Sequence, residues 1–354
     1  MREHGKDYIM ELTIGRFPHG KKNLITDVPG VTVGHVTVDD KNVHTGVTVV
    51  MPSPENPFTH KLTAASFVLN GYGKTLGLVQ VDELGTIETP IALTNTLNVG
   101  KVHDAIVSYM ISRCAGDGIR LTSVNPVVCE CNDSGISDIA VRPIGEQEVL
   151  QAILNASVDF EEGSVGAGRG TTCYGMKGGI GSSSRVMNID GKDYHMGILV
   201  QTNYGSASDF RQAVLPQDIA PCDKGSIILV VATDLPLSAR QLKRVLKRAT
   251  VGMARLGSYI GNGSGEIVVG FTTAPRTEDG SSFLTVRALK EDCMDVPFRA
   301  VGECAEEAIL KSMLLSGPDC ALDGRKIPSL SEYLENTKGG NWAITTGGAG
   351  NSPT

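Results

Sequence analysis

Long apolar runs are missing from this sequence. The longest, such as Ile227–Ala232, fall far short of the roughly 20 residues that cross a bilayer, so no membrane partner is expected. The first residues, Met1-Arg2-Glu3-His4-Gly5-Lys6-Asp7, contain no apolar signal region, and a cytoplasmic protein is expected. A basic excess is missing too: 32 Lys and Arg face 39 Asp and Glu, a formal charge of −7. Nucleic-acid binding needs a clustered basic face to displace phosphate counterions. The densest basic run, Arg240, Lys243, Arg244, Lys247 and Arg248, reads instead as the solvated face of a helix, so no nucleic-acid partner is expected.

Metal-site spacing is absent as well. The eight cysteines, at 114, 129, 131, 173, 222, 293, 304 and 320, share no repeat. Their one close pair, Cys129 and Cys131, lacks the second half of a zinc site, so reduced thiols are expected. The seven histidines are scattered and no G-x-S-x-G elbow surrounds a serine, which argues against an ordinary α/β-hydrolase.

Glycine is what the chain has in plenty, 42 of 354, close to twice the usual ~7%. With no G-X-Y period, these residues imply tight turns and close backbone approaches. Eight of them lie in Gly163–Gly181. In that stretch Gly170-Thr171-Thr172-Cys173-Tyr174-Gly175 is followed by Met176 before Lys177 and misses the P-loop pattern, and Gly166–Gly170 misses the dinucleotide fingerprint.

Patterning predicts alternating strands and helices. Strands are expected near 31–36, 45–51, within 122–131, and on both sides of Asp190-Gly191, a two-residue hairpin signal. A helix is expected over 98–112, with Val102, Ala105, Ile106 and Met110 at 3.6 spacing. Gly225–Thr233 reads as a buried strand. Ser238 and Gln241 then form a capping box opening a helix whose stripe is Leu242, Val245, Leu246, Ala249, Met253 and Leu256. Gly261-Asn262-Gly263-Ser264-Gly265 reads as a sharp turn, Glu266–Thr273 as a strand, and 298–315 as a last amphipathic helix. The polar, glycine-rich tail from Thr337 is expected to be loose. Without an internal repeat or long linker, residues 1–354 read as one large α/β layered domain.

Gly263-Ser264-Gly265 has two readings: a flexible connector, or a self-cleaving peptide bond. In the second, the Ser hydroxyl attacks the preceding carbonyl and the hydrolysed ester leaves Ser264 as a new N-terminus. The freed α-amine, with a reference pKa of about 7.7–8.0, then serves as base for its own hydroxyl. That chemistry needs no histidine.

Several segments together resemble the DmpA family of aminopeptidases, peptidase family S58. They are Ile25-Thr26-Asp27-Val28-Pro29-Gly30-Val31 with Thr45–Val50, Lys177–Arg185, Leu199-Val200-Gln201-Thr202-Asn203-Tyr204-Gly205, and Gly261–Val268. The resemblance runs over nearly the whole chain in order. It implies an αββα sandwich of the N-terminal-nucleophile-hydrolase type, cleaved into chains 1–263 and 264–354 and assembled as a homo-oligomer of cleaved heterodimers. It also implies removal of N-terminal residues from small peptides, amides or esters, with no metal or organic cofactor.

By position, the resemblance makes Ser264 the nucleophile, Gly263–Ser264 the cleaved bond, Asn203 an oxyanion donor and Glu306 a carboxylate orienting the nucleophile's hydroxyl network. It makes Glu130 the anion that holds the substrate's ammonium. By themselves, Glu130 would read as a strand-end surface residue, Asn203 as a turn residue, and Glu306 and Glu307 as solvated helix residues. Two positions depart from the family pattern: Cys304 lies two before Glu306, and Gly135 stands where the well-known members carry a Tyr. Tyr204 and Tyr174 are the candidate replacements for that side chain. The alternatives are an acyltransferase of the ornithine acetyltransferase type, against which a Ser rather than Thr nucleophile argues, and an uncleaved binding protein on the same scaffold.

Overall fold

The computed structural model describes residues 10–211, 224–279, 282–338 and 342–346; Cys222 lies outside them. Nine strands carry the architecture. The first five are β1 (Thr32–Asp40), β2 (Val43–Met51), β3 (Leu62–Gly71), β4 (Ile91–Asn95) and β5 (Val127–Cys131). The remainder are β6 (Ile180–Ile189), β7 (Lys192–Asn203), β8 (Lys224–Thr233) and β9 (Gly263–Thr272). Four helices flank them: α1 (Val99–Gly116), α2 (Glu146–Leu154), α3 (Ala239–Leu256) and α4 (Asp295–Leu314).

One sheet has the order β1-β2-β4-β5. The other has the order β6-β7-β8-β9-β3, with the short strand Thr86–Ile87 at its edge. Strand alternation sorts the side chains into three apolar layers. Val33, Val50, Leu93 and Cys129 meet Leu199, Ile228, Val230 and Val269 between the sheets. Ile198, Leu229, Val231 and Val268 pack outward under α3 and α4, and Val47, Val49, Ala92 and Val128 pack under α1 and α2. The result is helix, sheet, sheet, helix: the expected αββα sandwich. Strand β8 reads as an unbroken apolar run because both its faces are covered.

Local signals explain the element ends. Asp190 and Gly191 both take positive φ (52° and 76°) and join β6 to β7 with Ile189 opposite Lys192, as a type I′ hairpin requires. The Gln241 N–H donates to Ser238 Oγ (3.3 Å) and the Ser238 N–H to Gln241 Oε1 (3.2 Å), closing the capping box at the start of α3. Gly257, at φ 113°, ends that helix. The basic residues of α3 are a structural surface: Arg240 and Arg244 pair with Glu291, and Lys243 pairs with Asp82.

Three expectations are corrected. Strand β9 begins at Gly263, so Gly263, Ser264 and Gly265 lie in the ladder rather than in a flexible connector, and the sharp turn runs only from Gly261 to Ser264, whose N–H closes it. The tail is not loose throughout, because Trp342–Thr346 pairs in parallel with Met10–Ile14. Glu306 and Glu307 are each 1% exposed, not solvated. Glu307, with Glu303 one turn earlier, faces the fully buried Arg185 (2.6 and 3.5 Å), since a guanidinium stripped of water must be paired.

Candidate active site

Register brings the central residues together at one end of the larger sheet. Antiparallel pairing sets Asn203 opposite Ser226, and the parallel pairing of β8 with β9 sets Gly225 opposite Ser264. These positions lie on three adjacent strands, and Gly71 at the end of β3 faces Gly265 on the fourth. Gly225 is needed for this closeness: a Cβ there would sit 1.9 Å from the Asn203 carbonyl oxygen. Cys131 Sγ approaches the carbonyls of Gln201 (3.5 Å) and Ser226 (3.4 Å), tying the end of β5 to the same place. Burial keeps that thiol protonated, its pKa pushed well above the ordinary value.

A cavity of about 790 Å³ opens here, lined by Glu130, Gly135, Asn203, Gly225, Ser226 and Gly263 among others. Glu130 is 2% exposed, which corrects the surface reading. Its Oε1 accepts from the Lys74 N–H (2.9 Å) and its Oε2 from Thr96 Oγ1. The Asn203 Oδ1 accepts from the Thr172 N–H (3.0 Å), which leaves the amide NH₂ as the donor end of that side chain. Thr172 is in turn held by a loop wrapped around Lys177, whose Nζ donates to the carbonyls of Gly168, Thr171 and Gly178 (3.2, 3.0 and 2.8 Å). Burial pushes the Lys177 ammonium down to about 7.

Ser264 is fully buried behind Gly263, and its Oγ has no hydrogen-bond partner among the described residues. With the Gly263–Ser264 peptide joined, the Ser264 N–H donates to the Gly261 carbonyl across a tight turn (3.0 Å). Asn70 clamps this turn, its Nδ2 donating to the carbonyls of both Gly261 (2.9 Å) and Ser264. Just upstream, Ile260 has φ 61°, an unfavourable conformation for a β-branched residue.

Glu306 does not line the cavity. Its Oε2 accepts from Arg255 Nη1 (3.1 Å) near the end of α3, two residues before the loop that leads to Ser264. Cys304 is buried, its thiol pushed up to about 12 by desolvation and its Sγ 3.5 Å from the Met196 carbonyl. Position 135 faces open space, with nothing within 4 Å of where a Cβ would stand. Neither Tyr174 nor Tyr204 fills it: their rings pack on each other with centroids 5.3 Å apart and neither lines the cavity, whereas Tyr72 and Tyr259 do. Sequence reading passed over Asn70, Lys74 and Thr96. Asn70-Gly71 following an apolar strand was a visible turn signal, but nothing local shows which loop it would meet.

Known proteins resemble this chain in both sequence and fold. The model of Peptidase family S58 matches residues 23–326. Beta-peptidyl aminopeptidase BapA of Sphingosinicella microcystinivorans is 35% identical over 346 residues, covering 88% of this chain and 86% of that protein. The structure of the PH0078 protein from Pyrococcus horikoshii OT3 superposes with a TM-score of 0.86 at 42% identity, over 94% of this chain and 98% of that one. The l-aminopeptidase d-ala-esterase/amidase of Ochrobactrum anthropi, described as a variant of the Ntn hydrolase fold, does so with a TM-score of 0.83 at 30% identity, over 92% and 96%. Fold and relatives define an aminopeptidase on the Ntn-hydrolase fold. The chain belongs to peptidase family S58.

Proposed function

We propose that this aminopeptidase is made active by cutting its own chain before Ser264. Ser264 Oγ attacks the Gly263 carbonyl carbon, the Gly263–Ser264 C–N bond breaks as the nitrogen takes up a proton, and water hydrolyses the resulting ester. Gly263 is left with a carboxylate and Ser264 with a free amine, giving chains 1–263 and 264–354. The observation that carries this reading is the placement of an unpartnered, buried Ser264 Oγ in a turn clamped by Asn70 and preceded by Ile260 at positive φ. Strain of this kind costs about 1–3 kcal/mol and is released when the chain is cut.

In turnover, Ser264 Oγ attacks the amide carbonyl of the substrate's N-terminal residue while the Ser264 amine takes the hydroxyl proton and passes it to the leaving amine. Water then releases the acyl group by the same route. The Asn203 NH₂ stabilises the developing oxyanion. Glu130, buried yet open to the cavity, binds the substrate's ammonium and excludes internal peptide bonds, which carry no charge there. Glu306 acts as a positioning residue through Arg255 and the end of α3. Substrates are short peptides, amides or esters with a free N-terminus; the β-peptidyl activity named for the relative makes β-amino acid N-termini a class to include. The working particle is a cytoplasmic homo-oligomer of cleaved heterodimers that needs no cofactor.

Denaturing electrophoresis with N-terminal sequencing tests the reading. Two fragments, the smaller beginning at Ser264, are expected from the native chain and one uncut chain from Ser264→Ala. Cleavage of that variant at the same bond would assign the cut to another residue.

A further inference from the structure

Among the described residues, the side chains lining the cavity include two with charge, Glu130 and Lys74. Glu130 is buried at its inner end, while Lys74 is exposed at its mouth. Lys22, Lys61, Lys243 and Lys311 are each paired with a carboxylate, but Lys74 pairs with none among the described residues. Its Nζ instead stands over the ring of Tyr72, 4.5 Å from the centroid, and its backbone N–H is fixed on Glu130 Oε1 (2.9 Å). One anion and one cation are therefore joined across the cavity wall by a single backbone hydrogen bond, the first desolvated and the second held at the opening by a ring.

We propose that Lys74 determines specificity by binding a carboxylate on the leaving-group side of the substrate, above all the free C-terminal carboxylate of a dipeptide. The inference rests on the assignment of Glu130 and Ser264 given above. With the substrate's ammonium at the closed end, the residue beyond the scissile bond points to the mouth, where Lys74 stands. An extended dipeptide spans at most ~7 Å, a distance a four-carbon stem anchored beside Glu130 can bridge. Each further residue carries the terminal carboxylate past the ammonium and into solvent. An acidic side chain on the second residue offers the same charge at a similar place.

The test compares kcat/KM for Ala-Ala, Ala-Ala amide and Ala-Asp amide, and for the same three with a β-Ala N-terminus, in the native protein, Lys74→Met and Lys74→Arg. The native protein should prefer the free acid to the amide by about tenfold, mainly through KM, and less so at high salt, because the charge pair is exposed. Lys74→Met should bring the acid-to-amide ratio to within about twofold, and Lys74→Arg should keep it. The ratio is internal to each variant, so a general loss of activity cancels. Ala-Asp amide matching Ala-Ala would assign the side chain as a second source of the carboxylate. A native ratio near one, or a ratio unchanged in Lys74→Met, would overturn the proposal while leaving the aminopeptidase mechanism in place. Failure of the native protein to hydrolyse any of the six would sink that mechanism and this inference with it.

Discussion

Asn70 Nδ2 donates to the carbonyl oxygen of Ser264 and, with the same nitrogen, to that of Gly261. One amide from the end of β3 thus fixes both sides of the peptide proposed to break. Asn70→Ala removes that clamp without touching the proposed nucleophile. Self-cleavage of the variant is expected to slow at least tenfold, followed as the decay of full-length chain on a denaturing gel, while fragments already formed should retain turnover to within a few-fold. Cleavage at the native rate would show that the turn is held by other contacts.

Asn203 separates two functions within one amide. Its oxygen accepts from the Thr172 N–H and its nitrogen is assigned to the oxyanion. Asn203→Asp preserves the acceptor and replaces the donor by an anion. In the cleaved enzyme kcat should fall by at least about 10²–10³, the cost of losing one such donor, with a much smaller change in KM. A rise in KM with kcat intact would place Asn203 in binding rather than in catalysis.

Glu130→Gln keeps the shape of the side chain and deletes its charge. An exopeptidase that reads the ammonium through this carboxylate should lose tenfold or more in kcat/KM for free-amine substrates, each tenfold being about 1.4 kcal/mol. Its discrimination against N-acetylated substrates should shrink in parallel. Unchanged discrimination, measured by competing the two substrates, would remove Glu130 from recognition.

His35 gives the fold a pH dependence of its own. Desolvation by burial holds its pKa at about 4, down from 6.5, against a backbone hydrogen bond at Glu161 that raises it; Nδ1 lies 2.8 Å from Thr48 Oγ1. Because the folded state disfavours the charged ring, its contribution is fully present above pH 6.5 and is lost as pH falls through 4. At 1.36 kcal/mol per pKa unit this amounts to about 3 kcal/mol. Urea unfolding of the native protein and of His35→Gln at pH 7 and pH 4 should show a smaller loss on acidification in the variant. An equal loss in both would place the acid sensitivity elsewhere.

What could be read along the chain was whatever its own neighbours specify. The Asp190-Gly191 hairpin, the Ser238–Gln241 cap and the stripe of α3 are local, and each is found where its residues put it. Glu303 and Glu307 lie one helical turn apart, but their partner Arg185 is on a distant strand, so nothing local marks them as buried. Ser264 was legible as a candidate nucleophile through the resemblance to a family, whereas the ladder that holds it depends on the pairing of β9 with β8 and β3. Asn70 and Lys74 come from the end of β3 and just past it, and Thr96 from just past the end of β4. Only the pairing of strands and the stacking of the two sheets bring Asn70 onto the Ser264 turn and Lys74 and Thr96 onto Glu130.

The most direct measurement is the intact mass of freshly purified, catalytically active protein under denaturing conditions. Two polypeptides are predicted, whose masses correspond to residues 1–263 and 264–354 and together exceed that of the single chain by one water. Active material consisting only of the continuous 354-residue chain would contradict the account, because Ser264 would then have no free amine to take its proton.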